Sequence, residues 1–215
     1  KGEAIASVPL DDIAAVIVNA HGTSYTNALF TDLASRSIPI ILCGANHMPM
    51  AYIQPTNSNF KSAKYLMAQA ELSKPKSKKA WKTIVTAKIE WQHFALAAVG
   101  HNSAAVERMS RSVKSGDPNN LEAQAARLYW RAFMGPTFRR DVGLQGANQM
   151  LNYGYTVLRA ATCRALMSTG LNPSFGVHHR SVRNSFQLVD DLMEPFRPLV
   201  DLNVKRIIES GREEM

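Results

Sequence analysis

Residues 79–100, KAWKTIVTAKIEWQHFALAAVG, contain no glycine or proline before Gly100. An unbroken run of that length predicts one long helix, closed by a glycine that can take the left-handed conformation of a C-cap. The helical character continues downstream. SAAVERMSRSVKSG (103–116) predicts a shorter helix with a basic side made by Arg108, Arg111 and Lys114. DPNNLEAQAARLYWRAFMG opens with Asp117-Pro118, an expected N-cap followed by proline at the first helical position. LNYGYTVLRAATCRALMSTG predicts a helix ending at Gly170, preceded by a loop at GLQGANQ, and a further helix is expected from about Asn184.

The N-terminal part reads differently. VPLDDIAAVIVNA carries the β-branched run Ile13, Val16, Ile17 and Val18 and predicts a short buried strand. TSYTNALFTDLASRS has Ala28, Leu29, Leu33 and Ala34 on one side and Thr23 or Ser24 as N-cap, and IPIILCG is a second buried strand. From Asn46 the signals weaken: IQPTNSN reads as a loop, FKSAKYLMAQAEL as a helix and SKPKSKK as a basic connector. The expected fold class is α+β. Residues 1–58 are the remainder of a small N-terminal β (α/β) domain, incomplete as it stands. Residues 59–79 form a linker with a helix and a basic segment, and 80–215 a larger all-α domain.

Composition excludes several classes of protein. With 46% hydrophobic and 20% charged residues in 215, the chain is globular rather than disordered. No run reaches the ~20 apolar residues of a membrane span, and KGEAIASVPL lacks the core of a signal peptide. Cys43 and Cys163 lie in no zinc-binding spacing, so free thiols in a reducing cytoplasm are expected. GxSxG, Walker and Rossmann patterns are absent. Lys and Arg number 25 against 17 Asp and Glu, a net charge of +8, which suits a polyanionic partner.

Against that surplus the acidic residues are conspicuous. On the helix containing Glu122, Leu121, Ala125, Leu128, Tyr129, Ala132 and Phe133 form an apolar arc, opposed by Gln124, Arg127 and Arg131. Glu122 falls inside the apolar arc, so its carboxylate must be paired with an arginine, protonated or bound to a metal. In GVHHRSVRNSFQLVDDLMEPFRP (176–198), Leu188, Val189, Leu192, Met193, Phe196, Leu199 and Val200 form a second arc. Asp190, Asp191 and Glu194 crowd the other side, where they repel one another unless a cation or arginines neutralise them. Pro195 is expected to free the carbonyl of Asp191 and kink the helix. Imidazoles from His178 and His179 beside carboxylates suit Mg²⁺ or Mn²⁺ better than a structural zinc; a solvated acidic face with loop histidines is the plain alternative.

The segments NNLEAQAARLYW, LNYGYTVLRAATCRAL, GLNPSFGVHHRS and LVDDLMEPFRPLVD, in that order and spacing, resemble the CRISPR-associated adaptation integrase family, the endonuclease called Cas one. AWKTIVTAKIEWQ resembles the first long helix of its catalytic domain, and VPLDDIAAVIVNAHG the end of its N-terminal β domain. The double histidine and DLMEPFRPLVD are most similar to versions from type II systems. Members usually carry strands before the first segment and helices after ESGREEM, so the sequence resembles such a protein without its two ends.

The resemblance implies a metal site of Glu122, His179 and Glu194, with Asp191 as rival to Glu194 and His178 as a supporting or DNA-contacting residue. It implies that a Mg²⁺ or Mn²⁺ ion activates the 3′-hydroxyl of incoming DNA for attack on a phosphodiester of the CRISPR repeat. Arg139, Arg140, Arg180, Arg183, Lys82 and Lys88 are the candidates for phosphate contact. The implied partners are double-stranded DNA, a second copy in a homodimer and a second small adaptation subunit, with no membrane. A metal-dependent nuclease on branched DNA, or a non-catalytic DNA-binding scaffold, are the alternatives.

Overall fold

A computed structural model describes residues 6–20, 22–44, 49–53, 55, 61–179, 181 and 183–211. The strand–helix–strand unit forms as β1 (Val16–Val18), α1 (Asn27–Ser35) and β2 (Ile40–Cys43). β1 and β2 pair in parallel, Val16 opposite Ile40, with α1 as the crossover, and Leu33 packs against Ile38 and Ile40. The helix starts later than Thr23 or Ser24 would allow. Its cap is Thr26, whose hydroxyl accepts the N–H of Leu29 at 3.2 Å. A third strand, β3 (Pro49–Ile53), pairs antiparallel with β2, placing Ile53 opposite Ile40. Most of the IQPTNSN loop lies outside the described residues.

After α2 (Ser62–Ala70) the expected basic connector is corrected: Lys74–Lys79 are the first turns of α3 (Lys74–Ala98). Ser73 is extended, Pro75 sits in the first helical turn, and lysine is a good helix former, so nothing in SKPKSKK prevents a helix. α3 is the beam of the helical part. It buries Trp81, Ile84, Val85, Ile89, Ala95 and Leu96 against α4 (Ala104–Ser112) and α5 (Leu121–Phe133), whose Ala125, Tyr129 and Phe133 complete the cluster. Each large side chain buried there contributes about 1.5–3 kcal/mol.

α5 does not begin at Asp117-Pro118. Asp117, in the left-handed region at φ 46°, reaches forward instead: its Oδ1 accepts the N–H of Leu121 at 2.9 Å and its Oδ2 that of Glu122 at 3.0 Å. The carboxylate thus caps α5 from a turn upstream and anchors the backbone of Glu122.

α6 (Ala147–Ser168) packs through Cys163 and Leu166 on α7 (Gln187–Met193) and through Leu151 and Tyr155 on Met193 and α8 (Arg197–Glu209). Gly154 lets α6 and α8 approach closely: a Cβ there would lie 2.4 Å from Cγ1 of Val200. Between α7 and α8 the chain tightens into a 3₁₀ turn, Glu194–Phe196. The carbonyl of Asp191 is not left free by Pro195, because the N–H of Glu194 donates to it from three residues on. Among the described residues no helix is long and apolar enough to cross a membrane.

Candidate metal and phosphate site

Glu122 shares its face of α5 with the buried Ala125, Tyr129 and Phe133. Its partner is a lysine rather than an arginine: Nζ of Lys88, from the middle of α3, lies 2.6 Å from its Oε1. The same ammonium lies 2.6 Å from Oε2 of Glu194. Only 13% of the Lys88 side chain and 8% of that of Glu194 are exposed, so the charges are screened weakly. Burial works against the ammonium, but Glu194 and Glu122 outweigh it and hold Lys88 above the usual lysine range. Oε1 of Glu194 also pairs with Arg197 at 3.1 Å. Its Oε2, which is buried, has the Lys88 ammonium as its counterpart.

Asp191 is wholly buried and organises the histidine loop. Its Oδ2 accepts the backbone N–H of Val177 at 2.6 Å and of His178 at 2.8 Å, and its Oδ1 contacts Nδ1 of His179 at 2.5 Å. A carboxylate can only accept, so Nδ1 carries a proton, and in the neutral imidazole the lone pair is on Nε2. The hydrogen bond that His179 donates to Asp191 raises the pKa of His179 against partial burial, and the charges of Asp191, Glu194 and Glu122 add to the rise.

The loop is braced from two helices. Ser77 of α3 donates its hydroxyl to the carbonyl of Val177, and the Gln69 amide of α2 bridges the backbone N–H and C=O of Asn172 at 2.8 and 3.0 Å. The indole of Trp81 stacks on His178 at 4.1 Å and meets the edge of His179 at 5.6 Å. Gly176 has no room for a side chain: a Cβ would sit 2.4 Å from the carbonyl oxygen of His179 and 3.2 Å from Oδ2 of Asp191.

The three acids therefore do not form one solvated face. Asp191 and Glu194 are buried, and each acid has its own counterpart. Asp190 takes a bidentate pair from Arg159, at 2.6 and 2.9 Å, together with the amide of Asn184 at 2.7 Å. Conversely, Phe196 and Leu199, expected on the apolar arc, are 46% and 37% exposed, because the 3₁₀ turn changes the phase of the helix after Met193.

A cleft of about 470 Å³ opens beside His179 and Glu194, lined also by Arg140, Tyr155, Arg159 and Arg197. Arg140 is held by Asn148 at 2.9 Å and Asn152 at 2.6 Å. Arg140 and Arg197 both lie over the ring of Tyr155, at 5.3 and 4.8 Å from its centroid. Beneath them the buried Asp201 accepts from Tyr129 at 2.8 Å and Tyr155 at 2.5 Å; burial pushes its carboxyl up to about 7 against these bonds and the two arginines.

Of the other residues nominated from sequence, Lys82, Arg139, Arg183 and His178 are exposed, Lys88 is committed to the two glutamates, and Arg180 lies outside the described residues. Arg159, Arg197, Tyr155 and Asp201 were not singled out; Arg197 three residues after Glu194 was the readable signal. Among the described residues no three His, Cys, Asp or Glu side chains are gathered closely enough to hold a metal as they stand, since the cation between Glu122 and Glu194 is Lys88. The donor set still fits a hard divalent ion. Two carboxylates already converge on one cation, and the His179 imidazole feels both charges.

Against known proteins, the model of the family described as CRISPR associated protein Cas1 matches residues 1–214. The chain belongs to the Cas1 family. The CRISPR-associated endonuclease Cas1 of Neisseria meningitidis serogroup C (strain 8013) is 39% identical over 208 residues, 96% of this chain and 68% of that protein. A solved casposase bound to integration product superposes with a TM-score of 0.77 at 26% identity, over 94% of this chain and 62% of its own. A chain of a solved Cas6-RT-Cas1–Cas2 complex shares the fold, with a TM-score of 0.71 at 20% identity, over 92% of this chain and 24% of that one. The mixed fold, a three-stranded sheet followed by helices, is shared with a solved Cas1 protein from Thermotoga maritima, at a TM-score of 0.74 and 17% identity over 95% of this chain and 70% of that one.

Proposed function

We propose that this Cas1 chain joins DNA: a 3′-hydroxyl of a spacer fragment attacks a phosphodiester at the border of a CRISPR repeat, with Glu122, His179 and Glu194 holding Mg²⁺ or Mn²⁺. The observation that supports this reading is the convergence of Glu122 and Glu194 on one cation, with both carboxylates acting on the His179 imidazole and with His179 and Glu194 lining an arginine-walled cleft. When bound, the ion neutralises charge on the phosphoryl group and favours ionisation of the attacking hydroxyl. Asp191 is a positioning residue in this reading, since its oxygens are occupied by the loop N–H groups and Nδ1.

The residues of the chain divide the remaining work. Arg197 and Arg140, backed by the Tyr155 ring, offer guanidinium groups to the phosphate oxygens. Exposed Lys82, Arg139 and Arg183 extend the basic surface along the duplex. One P–O bond forms as one breaks, so joining needs no nucleotide hydrolysis; the attacking hydroxyl gives up its proton and the displaced 3′ oxygen gains one. The casposase bound to integration product supports joining, and the complex with Cas2 supports a small partner subunit. A homodimer acting in the cytoplasm completes the proposal.

The test uses the full-length protein with its partner subunit, a fragment bearing 3′-hydroxyls and a repeat-bearing plasmid. Glu122→Gln and His179→Ala should abolish joining by at least 10³-fold while duplex binding changes less than about threefold. A 3′-blocked fragment should not be joined. Equal turnover of blocked and unblocked DNA, with strand cutting of branched substrates, would instead assign a nuclease, the activity named in the Neisseria relative. Wild-type joining by His179→Ala would overturn the site.

A further inference from the structure

Lys88 is nearly enclosed, with its ammonium 2.6 Å from carboxylate oxygens of two different elements, α5 and the 3₁₀ turn. A divalent ion held by the same two oxygens would compete for the place of the ammonium. Ammonium and metal cannot share it, because cations a few ångströms apart in a weakly screened site repel strongly. Yet without a cation there Glu122 and Glu194 would repel each other and splay. Lysine suits the role: its charge sits on a flexible four-carbon stem and can withdraw without disturbing α3.

We propose that Lys88 is a built-in place-holder, which keeps Glu122 and Glu194 converged in the metal-free protein and has to be displaced for a divalent ion to enter. The proposal rests on the metal-site reading above. It makes the site preformed but hard to load, so that the metal affinity is lower than the two glutamates and His179 would give alone. It also assigns the Lys88 side chain two positions, inward without metal and outward with it.

The experiment titrates metal-stripped protein with Mn²⁺ by calorimetry and by the electron paramagnetic resonance signal of free Mn²⁺. Lys88→Met, which keeps the stem and removes the charge, should bind Mn²⁺ on the order of tenfold or more tightly than wild type. Its metal-free melting temperature should fall below that of wild type, and saturating Mn²⁺ should raise it by more than it raises wild type. Equal or weaker Mn²⁺ binding by Lys88→Met overturns the proposal. Glu122→Gln and His179→Ala in the same titration separate the two failures. If both keep wild-type Mn²⁺ binding, the metal site itself is wrong. If both lose it while Lys88→Met matches wild type, the site stands and the displacement does not. A wild-type measurement covers a variant that fails to fold: acetic anhydride labelling of Lys88, read by peptide mass spectrometry, should rise severalfold on adding Mn²⁺, and labelling that is unchanged or reduced refutes the displacement.

Discussion

Asp191→Asn tests whether the histidine loop is built around one carboxylate. The side chain is fully buried and receives three backbone hydrogen bonds, from Val177 at 2.6 Å, His178 at 2.8 Å and His179 at 3.4 Å, as well as Nδ1 of His179 at 2.5 Å. Hydrogen bonds to a charged group contribute about 1.5–3 kcal/mol each. The asparagine oxygen can keep the N–H groups of Val177 and His178 in weakened form, which turns its NH₂ towards Nδ1 and the backbone N–H of His179. That position then has to accept, and the imidazole proton moves to Nε2, the atom proposed to meet the metal. Two lost bonds, one of them the long contact from the His179 N–H, and two weakened ones amount to a loss of about 2–4 kcal/mol, or roughly 5–15 °C in melting temperature for a chain of this size. Mn²⁺ affinity should fall about 10–100-fold, the usual cost of removing an orienting partner. Thermal unfolding, Mn²⁺ calorimetry and ¹⁵N spectra of the imidazole nitrogens read the three effects separately. A folded Asp191→Asn protein with Nε2 still unprotonated and Mn²⁺ affinity within twofold of wild type would refute the reasoning.

Gly176→Ala should leave the helices folded but displace the loop, since its Cβ would stand 2.4 Å from a backbone oxygen; circular dichroism should stay native while Mn²⁺ binding drops at least tenfold. The raised His179 pKa means that protons compete with metal at Nε2 from a pH above the ordinary 6.5, so Mn²⁺ affinity should climb with pH through that raised value, and calorimetry at several pH values should show it. In the metal-free protein the same shift contributes stability that is complete below about 6.5 and is lost as pH rises through the raised value. Asp201 is an acid whose folded value is raised, from 3.8 to about 7, so its native form takes up a proton before the unfolded chain does. Its contribution to stability is therefore greatest at low pH and falls away between about 4 and 7. Urea midpoints at pH 5 and pH 8 should show that wild type loses more over this interval than Asp201→Asn; identical changes would contradict it.

The oddity of Glu122 was legible because helical period alone put a carboxylate among Ala125, Tyr129 and Phe133. Its partner was not, since Lys88 sits 34 positions earlier on another helix, and no local pattern reports a contact across two packed helices. Asp190, Asp191 and Glu194 were read as one cluster because a continuous helix was assumed. The 3₁₀ turn and the returning loop separate them, and neither can be seen in a helical projection. The strand–helix–strand unit was readable from β-branched runs, whereas β3 opens on a proline and owes its pairing to β2. Lys74–Lys79 went unrecognised as helix because a lysine-rich stretch has no apolar face to mark its period, although Ser77 in it braces the histidine loop.

The short turn at Glu194–Phe196 works as a gear. A 3₁₀ helix advances about 120° per residue against about 100° in an α-helix, so three residues rotate everything after them by roughly 60°. That rotation decides which way α8 faces: it brings Arg197 to the Glu194 carboxylate and the Tyr155 ring, and Asp201 beneath the hydroxyls of Tyr129 and Tyr155. Pro195, which reads as a helix breaker, thereby sets the angular phase between the half of the segment that holds the histidine loop and the half that walls the arginine cleft.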